Sequence, residues 1–190
     1  RQRRMCIRDS AKAGQGSPSN PVKLAEMKDP TGRNHAAFPY LNESTGQFYI
    51  IGGDENFPWG VQATKNKPSN PRGGYHFMNF TDPNNPREDA IYEVPEAGSH
   101  NLWVYGDILL AGNYQGGLRI VDISGELLGD IYKQGREIAH FLSYHKDGRI
   151  PNAPMVWGAQ PYKDYIFFSD MNSGLYCVTY EDEQKTASAQ

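Results

Sequence analysis

Gly116-Gly117-Leu118-Arg119-Ile120-Val121-Asp122-Ile123-Ser124 (GGLRIVDIS) is the stretch that decides the fold. Two glycines open it, suited to a tight turn or a close backbone approach. A run follows in which large apolar residues alternate with others, the period of a half-buried strand. Its Asp-Ile-Ser close marks a turn, with Asp122 read as a cap that accepts backbone N–H groups. Just upstream lie two more apolar runs, Leu102–Tyr105 (LWVY) and Ile108–Asn113 (ILLAGN), each followed or ended by Gly or Asn. Together they read as three successive antiparallel strands.

The same unit recurs on both sides. Upstream are His35–Tyr40, Gln47–Gly53 and, behind Gly73-Gly74, Tyr75–Phe80. Downstream are Ala153–Tyr162, Tyr165–Asp170 and, behind Ser173-Gly174, Leu175–Tyr180. A fourth, outer strand fits at Ala90–Val94 in the first unit and Glu137–Tyr144 in the second. Four-stranded antiparallel units repeated every few tens of residues are the pattern of β-propeller blades, each needing a neighbour to bury its faces. The expected fold is all-β: about three four-stranded antiparallel blades of a larger ring. By residue number, 1–19 form a tail that is non-native or disordered, and 20–34 the outer strand of a preceding blade (PVKLAEMK). Blades follow at 35–99 (with an insertion at 55–72) and 100–150, then an incomplete last blade at 151–182 and a disordered tail at 183–190. The best helix candidate is Gly125–Gln134, and its two glycines allow a turn or two at most. A ring takes four to eight blades, so the 190 residues are expected to be a C-terminal fragment.

Composition agrees and excludes several classes. With 20 Gly and 13 Pro in 190 residues, a helical bundle or coiled coil is excluded. Aromatics at 12% argue against global disorder. A net charge of −3 gives no basic excess for nucleic acid. Arg1, Arg3, Arg4 and Arg8 crowd the first ten residues against Asp9 alone, so the body is more acidic than the whole. The opening RQRRMCIRDS resembles a translated sequencing linker and is set aside from fold reasoning. Cys6 and Cys177 form no disulfide framework or metal set. No run approaches the ~20 apolar residues of a membrane span.

GGLRIVDIS is similar to the LVIVD repeat of bacterial and archaeal surface or secreted β-propellers. Pro151–Gly158 (PNAPMVWG) and Asp170–Leu175 (DMNSGL) resemble the closing repeats of that family. The likeness spans roughly residues 20–180. It implies a propeller outside the cell or at its surface, or in the periplasm, whose remaining blades are its first partners, and it implies no established enzymatic activity.

In such a blade the start of strand one and the turn between strands two and three share one end. His35 and His100 occupy equivalent starts, and Asp54, Asn113 and Asp170 close the second strands. The insertion adds Phe57 and Trp59. Two imidazoles with nearby carboxylates suit a divalent metal or a polar ligand; equally, such a His can bond a neighbouring strand's backbone. Trp59, Trp103 and Trp157 are packing residues or, if exposed, anchors for a glycan or peptide. Asn42-Glu43-Ser44 and Asn79-Phe80-Thr81 match the glycosylation pattern. His140 and His145, five apart, face opposite sides of a strand and make a poor metal pair. No GxSxG, HExxH, P-loop or GxGxxG motif is present. The expectation is therefore a non-enzymatic binding module with no cofactor, contacting a protein or glycan through His35, Asp54, Trp59, His100, Asn113 and Asp170. The alternative is a metal-dependent propeller enzyme, a hydrolase or a selenium-binding/methanethiol-oxidase-like protein, with His35 and His100 as ligands of a divalent metal.

Overall fold

The computed structural model describes residues 17, 19–56, 73–95 and 97–180. Those residues form three β-sheets and no helix. The first sheet is a meander of β1 (Asn34–Asn42), β2 (Gln47–Asp54), β3 (Tyr75–Asn79) and β4 (Arg87–Tyr92). The chain then runs through β5 (Leu102–Tyr105), β6 (Ile108–Gly112), β7 (Leu118–Asp122), β8 (Gly129–Asp130) and β9 (Glu137–Phe141). Of these, β5, β6, β7 and β9 make the second sheet in that order. The third sheet is β10 (Val156–Tyr162), β11 (Tyr165–Asp170) and β12 (Gly174–Val178). Every pairing within the meanders is antiparallel. The two-residue β8 leaves its own meander and pairs parallel with β4, joining the first sheet.

The alternation in LRIVD explains how the sheets stack. Leu118 and Ile120 point to one side of β7 and are buried with Val156, Ala159, Ile166 and Phe168 of the third sheet. Val121 points to the other side, into a core with Tyr40, Tyr49, Ile51, Tyr75 and Phe77 of the first. Neighbouring Leu109 and Leu110 on β6 divide in the same way. The middle sheet is thus buried on both faces, and burial of several large side chains per face supplies the main stabilisation.

Two glycines are required by geometry. Gly117 has φ +78° and sits where a side chain would strike the Phe141 carbonyl. Gly112 lets β6 approach β10, since a Cβ there would lie 2.6 Å from the Trp157 carbonyl oxygen. Buried hydroxyls also tie sheet to sheet. Tyr75 Oη donates to Gly112 O at 2.6 Å, and Tyr40 Oη donates to Ile123 O at 2.9 Å.

One local expectation is corrected. Gly125–Gln134 is not helical: Gly125 and Gly129 have φ of +63° and +64°, which breaks a helix and lets Leu127 and Ile131 turn into the core. The segment 21–28, expected as the outer strand of a preceding blade, pairs with no described strand of this chain. The runs at 47–53, 75–80, 108–113, 118–123, 165–170 and 175–180 all appear as strands within a residue or two of their expected ends, while the outer strands expected at 90–94 and 137–144 run over Arg87–Tyr92 and Glu137–Phe141. No helix of the described residues is long and apolar enough to cross a membrane.

Candidate functional site

The first turn of each meander begins one end of the stack. His35 is the second residue of β1, and His100 precedes β5 by two residues. Packing of β5 beside β1 brings their rings together, centroid to centroid at 4.4 Å. Glu55, one residue beyond β2, completes the group. His35 Nδ1 lies 3.2 Å from Glu55 Oε2, and His100 Nε2 lies 3.8 Å from Glu55 Oε1. One ligand atom from each residue falls within 4.8 Å of the others.

Each ring is also held on its far side. His100 Nδ1 donates to Trp157 O at 3.0 Å, and His35 Nε2 donates to Asn101 Oδ1 at 3.2 Å. Trp157 stacks on His100 at 5.4 Å and an interplanar angle of 14°, with Tyr114 edge-on from another side. Tyr114 Oη donates to Glu55 Oε1 at 3.4 Å, orienting the carboxylate. Burial pushes the His100 pKa below the ordinary histidine value, and a charge on His35 adds to that push; the Trp157 carbonyl and Glu55 oppose it. Glu55 is half exposed and His35 a third exposed, so the group opens to solvent.

A second histidine cluster forms around Asp54, the residue before Glu55. His76 on β3 is buried, with Nε2 3.3 Å from Asp54 Oδ2 and Nδ1 2.6 Å from Glu88 Oε1. Burial opposes its charge, yet the bonds to Asp54 and Glu88 prevail and raise its pKa to about 9. Asp54 further accepts from Thr31 Oγ1 at 2.6 Å and from Gly74 N at 3.4 Å.

The other sequence candidates stand elsewhere. Asp170 is buried and accepts from the Asn172, Ser173 and Met155 amides and from Ser143 Oγ, shaping the β11–β12 turn. Asn113 is buried and donates to Ala111 O at 3.2 Å. Trp59 and Phe57 lie outside the described residues. Of the six candidates, the structure therefore gathers His35 and His100 and adds Glu55 and Asn101. Alternation was the missed signal: with Asp54 facing inward, the next residue faces out. The two glycosylation patterns fall on buried asparagines whose amides donate to Gly125 O and Asp89 Oδ2, which closes them to modification. Asp122 caps its turn, accepting from Ser124 N at 2.8 Å.

Asn101, the partner of His35, also lines a cleft of about 390 Å³. Trp103, Phe167 and Leu175 give it apolar walls, and Asn101, Gln160 and Ser169 give it polar ones.

No family model matches the chain, and no curated protein matches it. Among solved structures it is similar to the crystal structure of the computationally designed Ika4 protein. Identity is 10%, the match covers 84% of this chain and 99% of that one, and the TM-score is 0.38. A likeness that weak carries no argument about this chain.

Proposed function

We propose that the chain is a section of a surface-exposed or secreted β-propeller of the LVIVD-repeat kind, working as a binding module for a glycan. The three stacked antiparallel sheets and the GGLRIVDIS repeat support the propeller reading. One observation carries the binding role. His35 and His100, from equivalent places in two repeats, meet beside the exposed Trp157, and His35 bonds Asn101, which lines the cleft. Flat aromatic faces next to amide and imidazole hydrogen-bonding groups suit a sugar ring, with its apolar faces and hydroxyl edges.

Tryptophan emission tests this directly, since Trp103 lines the cleft and Trp157 stacks on His100. Titration with a panel of neutral and acidic oligosaccharides is expected to give a saturable change for at least one. That change is lost in Trp103→Ala or Trp157→Ala. An identical response from both variants, or none across the panel, contradicts the glycan role. A second reading, a metal-dependent enzyme, is favoured by Glu55 lying against both imidazoles. It requires turnover of an ester or phosphoester by the metal-loaded chain that disappears in Glu55→Gln.

A further inference from the structure

We propose that His35 Nδ1, His100 Nε2 and the Glu55 carboxylate form a binding site for a divalent transition metal of the zinc class. The inference builds on the binding role proposed for this end of the sheets, and gives it a metal ion as part of the contact surface.

Hydrogen bonding on the far side of each ring carries the argument. The Trp157 carbonyl only accepts, so His100 Nδ1 must hold the proton, and the neutral ring then keeps a lone pair on Nε2. Asn101 Oδ1 can accept from His35 Nε2 in the same way, and in that neutral tautomer the lone pair stands on Nδ1. Both lone pairs face Glu55, whose two oxygens are also acceptors. In that tautomer three lone-pair groups face one another, and a cation standing among them satisfies all three. Amide oxygens behind ligating imidazoles are the usual device for setting tautomer and ring direction in metal sites.

Spacing agrees. Two ligands about 2.0–2.1 Å from a tetrahedral zinc ion are roughly 3.4 Å apart. His35 Nδ1 lies 3.2 Å from Glu55 Oε2 and His100 Nε2 3.8 Å from Oε1, and one donor atom from each residue lies within 4.8 Å of the other two, a spread that a small side-chain adjustment closes onto an ion. Two imidazoles and one carboxylate select zinc, copper or nickel over calcium and magnesium, which prefer all-oxygen shells. Three protein ligands leave a fourth position, which here opens on the half-exposed side, for water or a polar group of a bound ligand.

The test is calorimetric titration of the metal-stripped 190-residue chain with zinc chloride, repeated with cobalt chloride while recording visible absorption. One zinc per chain is expected, with cobalt bands of a low-coordinate nitrogen–oxygen site. His35→Ala, His100→Ala and Glu55→Gln should each weaken binding by at least about tenfold, on the scale of lost metal-site partners. His140→Ala should bind as the native chain does. Glu55→Gln keeps shape and hydrogen bonding at a half-exposed position, so it reports on the metal even if His100→Ala folds poorly. No stoichiometric zinc, or unchanged affinity in Glu55→Gln and His35→Ala, overturns the site. The metal-free chain's oligosaccharide response separates the two proposals: if it persists without zinc binding, only the metal site fails.

Discussion

Asp54 and Glu55 are consecutive, and each is a carboxylate set against histidine, yet they make opposite kinds of site. Asp54 closes β2 on the buried side. Its oxygens are taken up by His76, Thr31 and the Gly74 amide, and His76 is taken up by Glu88 as well. Glu55 faces outward, half exposed, against two rings whose protons are drawn away by Trp157 and Asn101. In the inner cluster donors and acceptors match and the histidine keeps its proton. At the rim acceptors meet acceptors and His100 sheds its proton more readily than usual. Residue type alone does not make a ligand site. The direction of the second nitrogen's hydrogen bond does.

The sharpest way to break the comparison is Asp54→Ala. It strands a buried imidazole beside a single partner, and such losses cost about 3 kcal/mol. Urea unfolding should show a drop of that order; a loss under about 0.5 kcal/mol, the level of an ordinary surface change, would mean the inner cluster carries little of the fold.

Next in size is the pH dependence of stability. The folded pKa of His76, about 9, lies above the ordinary value of 6.5. The folded chain therefore binds more protons than the unfolded one between those limits. The His76 contribution is complete below about pH 6.5 and is lost as pH rises toward 9, a change on the order of 3 kcal/mol. Unfolding curves across that window should show stability falling with pH in the native chain and a flatter profile in His76→Gln. Equal slopes would contradict the charged inner histidine.

A smaller effect is expected from Thr31→Val, which removes the hydroxyl donor to Asp54 Oδ1 while other donors remain. The loss should be about 1 kcal/mol. Smallest is Glu55→Gln, expected within about 0.5 kcal/mol of the native stability while it abolishes tight zinc binding. A large destabilisation there would make Glu55 a second structural carboxylate and erase the contrast.

Much of this was legible in the sequence where the signal is local. Period-two alternation marked the strands, and aligning the repeats placed His35 and His100 at equivalent positions. What could not be read depends on pairing across the chain. His76 meets Asp54 because β3 runs beside β2 with His76 opposite Gly52, and Glu88 arrives from β4. Asp170 has the same place at the end of its strand as Asp54, yet lacks a histidine there: Oδ1 serves its own turn and Oδ2 accepts from Ser143 Oγ and the Met155 amide. Glu55 was hidden by the insertion that starts at it. The short β8 was read as part of a helix, because a two-residue parallel pairing leaves no periodicity, and its positive-φ glycines show only in the backbone.

The division between the two carboxylates is tested most directly by thermal unfolding of Asp54→Asn and Glu55→Gln, each with and without zinc. Asp54→Asn should melt below the native chain and still be stabilised by the metal, because a ligand that binds only the folded form raises its melting temperature. Glu55→Gln should melt with the native chain and gain little from zinc. Asp54→Asn melting with the native chain, or Glu55→Gln keeping the full zinc-induced rise, would contradict the account.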